Sequence, residues 1–176
     1  MNCRFAAVIS HPIQHFAPVF RELAQVSGMD VKVFYASDWG ARPTYDPDFQ
    51  CEFSWDVPLL SGYDYEFLPR RSRAAHQGFF EIDSPHLSVR LDAFSPHAVW
   101  IHGYGFRVSW RALHWTGRRA AALFFGDSEL HAPRSLLRRA VKSVVVREFF
   151  RRCSGPMSRS SRGRGASLAT TTHLRQ

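Results

Sequence analysis

Three short polar segments hold the side chains of this sequence that are best suited to chemistry on a bound ligand. They span Ser10 to His15, His102 to Phe106, and Gly126 to His131, and each begins where an apolar run ends. Imidazole and carboxylate groups can orient hydroxyl groups, transfer protons or stabilise charge, so the ionisable side chains of these segments are the first candidates. Among them are His11, His15, His102, Asp127 and Glu129.

His11 and His15 are four residues apart, a spacing that on a helix would bring both imidazoles to one metal ion. No cysteine, aspartate or glutamate lies nearby to complete such a site, and Pro12 disturbs helical geometry. We therefore expect no metal here. Two interpretations remain open: the segment, with Gln14, lines a polar cleft, or its side chains cap and pack neighbouring structure.

The other two polar segments also allow two interpretations each. His102 ends an apolar run before Gly103, where a histidine is either hydrogen-bonded within the structure or positioned to bind a ligand. Asp127 and Ser128 either cap the segment that follows them or present a carboxylate and a hydroxyl to a ligand.

Apolar periodicity predicts the elements that must position these segments. Strands are expected over Arg4–Ile9, Val31–Ala36, Asp64–Leu68, Ala98–Ile101 and Ala120–Phe125. Helices are expected over Phe16–Gln25, Ser84–Phe94, Arg107–Trp115 and Pro133–Arg152. Strands alternating with helices predict a single α/β, Rossmann-like domain with a mainly parallel sheet of about five strands. Ligands bind such sheets outside the carboxyl ends of the strands, and all three polar segments would meet at that edge, which we call the mouth.

Two of the predicted helices carry more specific expectations. The helix that starts at Ser84 should have this serine as its N-cap and Pro85 at its first position. The first helix should bury one apolar face. This face consists of Phe16, Val19, Phe20 and Leu23.

The connection from Ser37 to Asp64 is long and rich in aromatic residues, aspartate and proline. Long loops in compact domains are often functional. Its aromatic side chains either stack on a sugar or lipid or pin the loop to the domain. They are Trp39, Tyr45, Trp55 and Tyr63.

The net charge of +8 is concentrated towards the C-terminus, where residues 153–176 contain four arginines and no carboxylate. This stretch lacks apolar periodicity and is rich in serine, arginine, glycine and threonine, so we expect a disordered basic tail. The helix over Pro133–Arg152 is basic and amphipathic. Such a helix either lies on an anionic membrane surface or packs on the core with a solvated arginine face.

Cysteine usage and hydropathy bear on the compartment. Cys3, Cys51 and Cys153 are far apart, odd in number and without metal-type spacing, which predicts reduced thiols. The first apolar run is too short for a signal peptide. No apolar run approaches the ~20 residues that a membrane span needs. We expect a cytoplasmic protein, at most peripheral on the inner face of the membrane.

Four stretches of the sequence resemble the N-terminal half of bacterial glycosyltransferases of family 4. They are SHPIQHFAP from Ser10, WDVPLLSGY from Trp55, VWIHGYG from Val99 and FFGDSEL from Phe124. The resemblance covers roughly residues 5–152, and WDVPLLSGYDY is its most specific part. Where many family members have a histidine after the fifth strand, this chain has Gly126-Asp127-Ser128.

The resemblance implies a GT-B fold, in which two Rossmann-like domains face each other across a cleft. In this family the N-terminal domain largely holds the acceptor and the C-terminal domain holds most of the nucleotide-sugar donor. It implies sugar transfer with retention and without metal or another cofactor, to a saccharide or lipid-linked acceptor in surface polysaccharide or glycolipid synthesis. His102 and Asp127 thereby become catalytic candidates. The implied substrate-binding residues are His11, Gln14, His15, Gly103, Tyr104 and Ser128.

The family's second domain would need more than a hundred further residues, so we expect residues 1–152 to be an acceptor-side domain that is inactive alone. The chain uses arginine almost to the exclusion of lysine, which suggests a GC-rich gene. Out-of-frame reading of such a gene produces arginine-, serine- and glycine-rich text. Our hypothesis is therefore that residues 153–176 are a frameshift product or a fusion scar.

Two other function classes remain as alternatives. A non-catalytic α/β domain could bind a glycan or a partner, and a gene for the missing half downstream would favour the enzyme instead. A nucleic-acid-binding protein would show affinity that falls steeply with salt. We disfavour nucleic acid because no recognition motif accompanies the arginines.

Overall fold

The computed structural model describes most of the chain up to residue 125 and one later segment. The described residues are 2–41, 44–46, 50–53, 55, 57–69, 78–117, 119–125 and 147–153. The strands are β1 (Cys3–Ile9), β2 (Met29–Tyr35), β3 (Thr44–Asp46), β4 (Cys51–Phe53), β5 (Asp64–Phe67), β6 (Ala98–His102) and β7 (Ala121–Phe125). The helices are α1 (Ala17–Gln25), α2 (Leu87–Phe94) and α3 (Arg107–Thr116), and residues 147–153 form a further helical segment.

Five strands form one parallel sheet in the order β5-β2-β1-β6-β7. The central strand is β1, in which Val8 pairs with Phe34 of β2 on one side and Ile101 of β6 on the other. The prediction of a single α/β, Rossmann-like domain with a mainly parallel sheet of about five strands is confirmed. The antiparallel pair β3–β4, inside the long connection, was not predicted.

Alternating residues of the strands face two different layers. Ala7 and Ile9 of β1 face α1, while Ala6 and Val8 face α2 and α3. We call these sides of the sheet the α1 face and the α3 face. Because consecutive side chains of a strand point to opposite faces, each strand contributes to both cores.

The α3 face is covered by α2, α3 and residues 147–153. Its fully buried members are largely aliphatic, and Phe149 of the C-terminal segment is also fully buried there. Phe149 packs edge-on against Trp110 of α3, with ring centroids 4.9 Å apart. The described end of the predicted helix over Pro133–Arg152 is therefore helical, and Phe149 faces the core.

The arginines of this C-terminal segment face solvent. Arg151 and Arg152 are exposed and ion-paired with Glu148. Cys153, which the sequence assigned to the tail, is helical and buried. Residues 154–176, and with them the predicted disordered tail, lie outside the described part of the chain. Among the described residues, no helix is long and apolar enough to cross a membrane.

The start of α2 differs from its prediction. The helix begins at Leu87 with His86 at the N-cap position, and the Ser84 side chain makes no capping bond. Ser84 is fully buried, and its backbone carbonyl accepts a hydrogen bond from the Leu87 N–H in a preceding turn. The neighbouring Ile82 and Asp83 are buried as well, so this stretch enters the core before the helix starts.

The buried face of α1 also differs by one residue. Phe16 and Phe20 are buried and Leu23 is half-buried, as expected, but Val19 is 39% exposed. At 100° per residue, Val19 lies on the opposite side of Phe16 from Phe20. The buried stripe follows Phe20 and Ala17, and Val19 is left facing solvent.

Candidate active site at the mouth of the sheet

The sheet order identifies one place where the mouth can hold a ligand. β1 leads to β2 on one side, whereas β6 lies on its other side, so the connections leaving β1 and β6 run in opposite directions. In open parallel sheets, ligands bind at this switch point, in the crevice outside the carboxyl ends of the two strands. The segments that follow β1 and β6 are the first two polar segments identified in the sequence.

The segment after β1 turns tightly into α1. The Phe16 and Ala17 N–H groups both donate to the Ile13 carbonyl, at 3.1 and 3.3 Å. This turn leaves the side chains of Gln14 and His15 exposed at its top. Pro18 lies in the first turn of α1, where a missing N–H has no cost. The loop therefore presents an amide and an imidazole to the solvent side of the mouth.

His11 lies deeper in the same loop. Its Nδ1 is 3.0 Å from the Ser10 hydroxyl, and its ring meets Trp39 edge-on with centroids 4.8 Å apart. Burial first, and the nearby His102 second, lower the pKa of His11 to about 4. His11 is therefore neutral at pH 7 and can act as a hydrogen-bond donor or acceptor without adding charge.

His102 is the last residue of β6 and faces the α1 side. Its ring meets Phe16 edge-on at 4.8 Å and stacks on Phe125 at 6.0 Å with planes 23° apart. Phe16 also contacts His15, at 4.3 Å between ring centroids. One phenylalanine thus contacts an imidazole from each of the two polar segments. His102 and His15 therefore lie at the same mouth, in contact with one phenylalanine.

The residue after His102 leaves room for a ligand. Gly103 has a φ of +68°, a conformation that favours glycine, and its N–H donates to the Phe125 carbonyl at 2.8 Å. A Cβ built on Gly103 or on Gly105 would meet nothing within 4 Å. The loop after β6 therefore places bare backbone beside open space, where a ligand can approach closely.

Tyr104 takes a different direction from its neighbours. Its ring packs with Phe124 and Phe149 at 6.4 and 6.5 Å, and both belong to the α3 face. Its backbone carbonyl accepts a hydrogen bond of 2.9 Å from the Trp110 indole. The substrate-binding role assigned to Tyr104 stays a prediction, and its ring lies on the other side of the sheet from His102.

The long connection closes one side of the first loop. Trp39 contacts His11, and the Trp55 indole lies 3.1 Å from where a Cβ of Gly40 would be. Tyr63 is buried, its hydroxyl is 2.7 Å from that of Tyr35, and it also donates to the Leu59 carbonyl. These three aromatics pack against the domain, as the second interpretation of the loop expects. The side chain of Tyr45 lies outside the described residues.

Two of the predicted site residues cannot be placed. Asp127 and Ser128, like Glu129, lie outside the described residues, and so does most of the predicted basic helix. No group of three or more His, Cys, Asp or Glu side chains in the described part of the chain could hold a metal ion.

Sequence reasoning missed the phenylalanines that organise the site. Phe16 was assigned only to the buried face of α1, and Phe125 only to the last strand. In the structure Phe125 is 44% exposed and gives the mouth an aromatic wall beside His102. The available signal was the position of Phe125 at the carboxyl end of a strand that neighbours β6.

The arrangement offers hydrogen bonds from neutral or exposed imidazoles, an exposed amide, open backbone at two glycines and an aromatic wall. Such a combination suits a polyhydroxylated ligand, whose hydroxyls need donors and acceptors and whose ring faces can lie on an aromatic surface. Comparison of the chain with protein-family models and with curated proteins found no match. The functional argument therefore depends on the fold and on these residues.

Proposed function

We propose that this domain is the acceptor-side half of a retaining, metal-independent glycosyltransferase. Its donor is a nucleotide sugar, and its acceptor is a saccharide or a lipid-linked sugar. The reaction takes place in the cytoplasm, in the synthesis of a surface polysaccharide or glycolipid. The sequence resemblance described above supports this class of reaction, and the α/β architecture is compatible with half of a GT-B fold.

The observation that carries the proposal is the meeting of the first loop with the end of β6 at the switch point. His15 and His102 both contact Phe16, and Gly103 leaves open space beside them. A sugar in this space would have imidazole groups within reach of its hydroxyls and Phe125 beside its ring.

Each group has a definite part in the proposed reaction. Sugar transfer breaks the bond between the anomeric carbon and the diphosphate oxygen, forms a bond to the acceptor hydroxyl oxygen, and passes the hydroxyl proton to the leaving diphosphate. His102 orients that hydroxyl and accepts its hydrogen bond, while Gln14 and His15 donate to the oxygens of the leaving diphosphate. The neutral His11 positions the first loop through its contact with Trp39.

The test is a titration of the histidine-labelled chain with saccharides and with nucleotide sugars, followed through the imidazole NMR signals. We expect the signals of His15 and His102 to shift saturably, because both rings lie at the mouth. His102→Ala should weaken saccharide binding about 3–10-fold, the value of one hydrogen bond.

The matched control is His86→Ala. His86 is exposed at the start of α2, on the α3 face of the sheet, so the variant should bind like the unaltered chain. Equal weakening by the two substitutions would contradict the proposed site. Sugar transfer that begins only when a separate second-half polypeptide is added would favour the enzyme over the non-catalytic glycan-binding alternative.

A further inference from the structure

A groove lies between α2 and α3 on the outer side of the α3 face, across the sheet from the first loop and α1. Its volume is about 490 Å³, within the usual range of small-molecule sites. The side chains that matter for its chemistry are Asp92, Arg107, Trp110, Arg111, Trp115 and Arg119. None of the predicted functions uses this groove.

Two of its arginines are held by a single buried carboxylate. Asp83 is fully buried and accepts a bidentate pair of hydrogen bonds from Arg111, while Arg107 lies 3.6 Å from the same carboxylate. The side chains of Arg107 and Arg111 are 39% and 33% exposed, and both line the groove. One negative charge is thus shared by two positive ones, and Asp83 also fixes the position of both guanidinium groups.

Trp115 lies at the far end of the groove and holds its neighbours in place. Its indole N–H donates to Asp92 at 2.8 Å, which fixes the ring between the two helices. Arg119 lies over this ring at 5.9 Å and donates to the Trp115 carbonyl at 3.3 Å. Arg119 has no carboxylate partner among the described residues. Its charge therefore remains available to a ligand.

The charge balance of the groove favours an anion. Three guanidinium groups face two carboxylates, Asp83 and Asp92, and Asp83 is too deeply buried to meet a ligand. Guanidinium groups pair with carboxylate and phosphate oxygens in a planar, often bidentate geometry. Trp110 and Trp115 add an apolar wall to the same groove, which suits the non-ionic part of an organic molecule.

We propose that the groove between α2 and α3 is a second binding site, which takes a small organic anion. The ligand carries a carboxylate or phosphate group that pairs with Arg119 and the exposed sides of Arg107 and Arg111. Its ring-bearing or apolar body lies against the tryptophans. The site is independent of the mouth and of the glycosyltransferase proposal.

The indole N–H signals of the tryptophans give a local readout, since the groove contains two of the five tryptophans of the chain. The probes are phenyl phosphate, benzoate, inorganic phosphate and benzyl alcohol. We expect phenyl phosphate or benzoate to shift the Trp110 and Trp115 signals saturably, and the tighter of the two identifies the preferred oxyanion. Inorganic phosphate should bind more weakly, and benzyl alcohol should cause no saturable shift.

Two variants test the residues. Arg119→Gln should weaken binding about tenfold, as expected for one charge-assisted hydrogen bond. Ser88→Phe should block the groove from the α2 side, where this exposed serine lines it. Arg151→Gln makes the same charge change on the C-terminal segment, outside the groove, and should leave the affinity unchanged.

Three results would overturn the proposal. The first is that neither phenyl phosphate nor benzoate saturates the tryptophan signals at about 10 mM. The second is that benzyl alcohol binds as tightly as these anions. The third is that Arg119→Gln and Arg151→Gln weaken anion binding equally. Binding of saccharides at the mouth would be unaffected by any of them, so the two sites can fail separately.

Discussion

The two faces of the sheet are made from the same strands but from different kinds of side chain. The α1 face is aromatic: Phe20 and Trp100 are in edge contact at 5.4 Å, and Phe16 links them to His102. The fully buried part of the α3 face is mostly aliphatic, with Leu91, Ile101 and similar residues. One face thus continues into the candidate site at the mouth, whereas the core of the other lies beneath α2 and α3.

The rims of the two faces differ in the same way. On the α1 face, Leu123 and Phe125 of the edge strand β7 are 45% and 44% exposed. On the α3 face, the rim is polar, and the buried Asp83 holds two arginines that line the groove between α2 and α3. Packing that reaches an open rim can hold ligand-binding side chains, while fully buried packing chiefly stabilises the fold. The comparison predicts that equal damage to the two cores will have unequal effects at the mouth.

The largest expected effect comes from truncating the aromatic core. Phe20→Ala should lower the free energy of unfolding by about 3–5 kcal/mol, because Phe20 is fully buried and its removal leaves a cavity. Leu91→Ala on the α3 face should cost about 2–5 kcal/mol for the same reason. Urea unfolding measures both values.

The difference between the faces should appear in the imidazole NMR signals of His15 and His102. Phe20→Ala should shift them, since Phe20 packs on Phe16, whereas Leu91→Ala should not. Val19→Ala is the matched control in α1, and its cost should stay within about 0.5 kcal/mol because Val19 is exposed. Equal shifts from both core variants would show that the faces are not distinct.

A smaller loss of stability is expected at acidic pH, and it should arise from His11 in the loop between β1 and α1. The pKa of His11 is about 4 in the folded protein and 6.5 without the fold, because burial disfavours the charged form. Between these values the unfolded chain binds more protons than the folded one, so stability falls as the pH falls from about 7 to 4. The loss from this group should be on the order of 2–3 kcal/mol.

Thermal or urea unfolding of His11→Gln between pH 4 and 7 checks this assignment. The variant should lose the His11 part of the pH dependence, while His86→Gln should retain it. If His11→Gln has the same pH profile as the unaltered chain, the protonation of another group destabilises the fold.

The smallest of the three effects is expected at the rim of the α3 face. Asp83→Asn should lower the free energy of unfolding by about 1–3 kcal/mol, because two guanidinium groups lose the carboxylate that holds them. Arg107 and Arg111 are partly exposed and can turn to water, which limits the cost. Glu148→Gln removes the partner of two exposed arginines and should cost under about 1 kcal/mol. Chemical unfolding at pH 7 compares the two variants. Equal costs would mean that the ion pairs of the buried Asp83 stabilise the fold no more than the exposed ion pairs of Glu148 do.

Much of the fold could be predicted from the sequence, and the reason is local. The apolar run that ends at Ile9 and the run from Ala98 to Ile101 are short, bounded by polar residues and alternate with amphipathic segments. Such a pattern predicts buried parallel strands wherever it occurs in a chain. The hairpin β3–β4 was missed because strands of three residues carry too little periodicity to be recognised.

The candidate site could be predicted only in outline. That His15 and His102 lie at the same edge of the sheet was predictable, since parallel strands that alternate with helices all end at one edge. The direction of the Tyr104 side chain could not be predicted from the sequence. The backbone conformation of Gly103, with its φ of +68°, decides which face of the sheet the Tyr104 ring packs on. Ser84 was expected to cap α2 but is buried, because a capping residue and a core serine look alike in sequence.

The sequence by itself determined the order of strands and helices, the polar segments after β1 and β6, and the alternation that supplies two cores. These properties depend on neighbours within a few residues, and the chain carries them wherever it folds. Only the tertiary structure decided that His11 is neutral, that Phe16 contacts two imidazoles, and that Asp83 holds two arginines. Each of these depends on burial or on contacts between residues distant in sequence, and such contacts exist only once the sheet and its helices have packed.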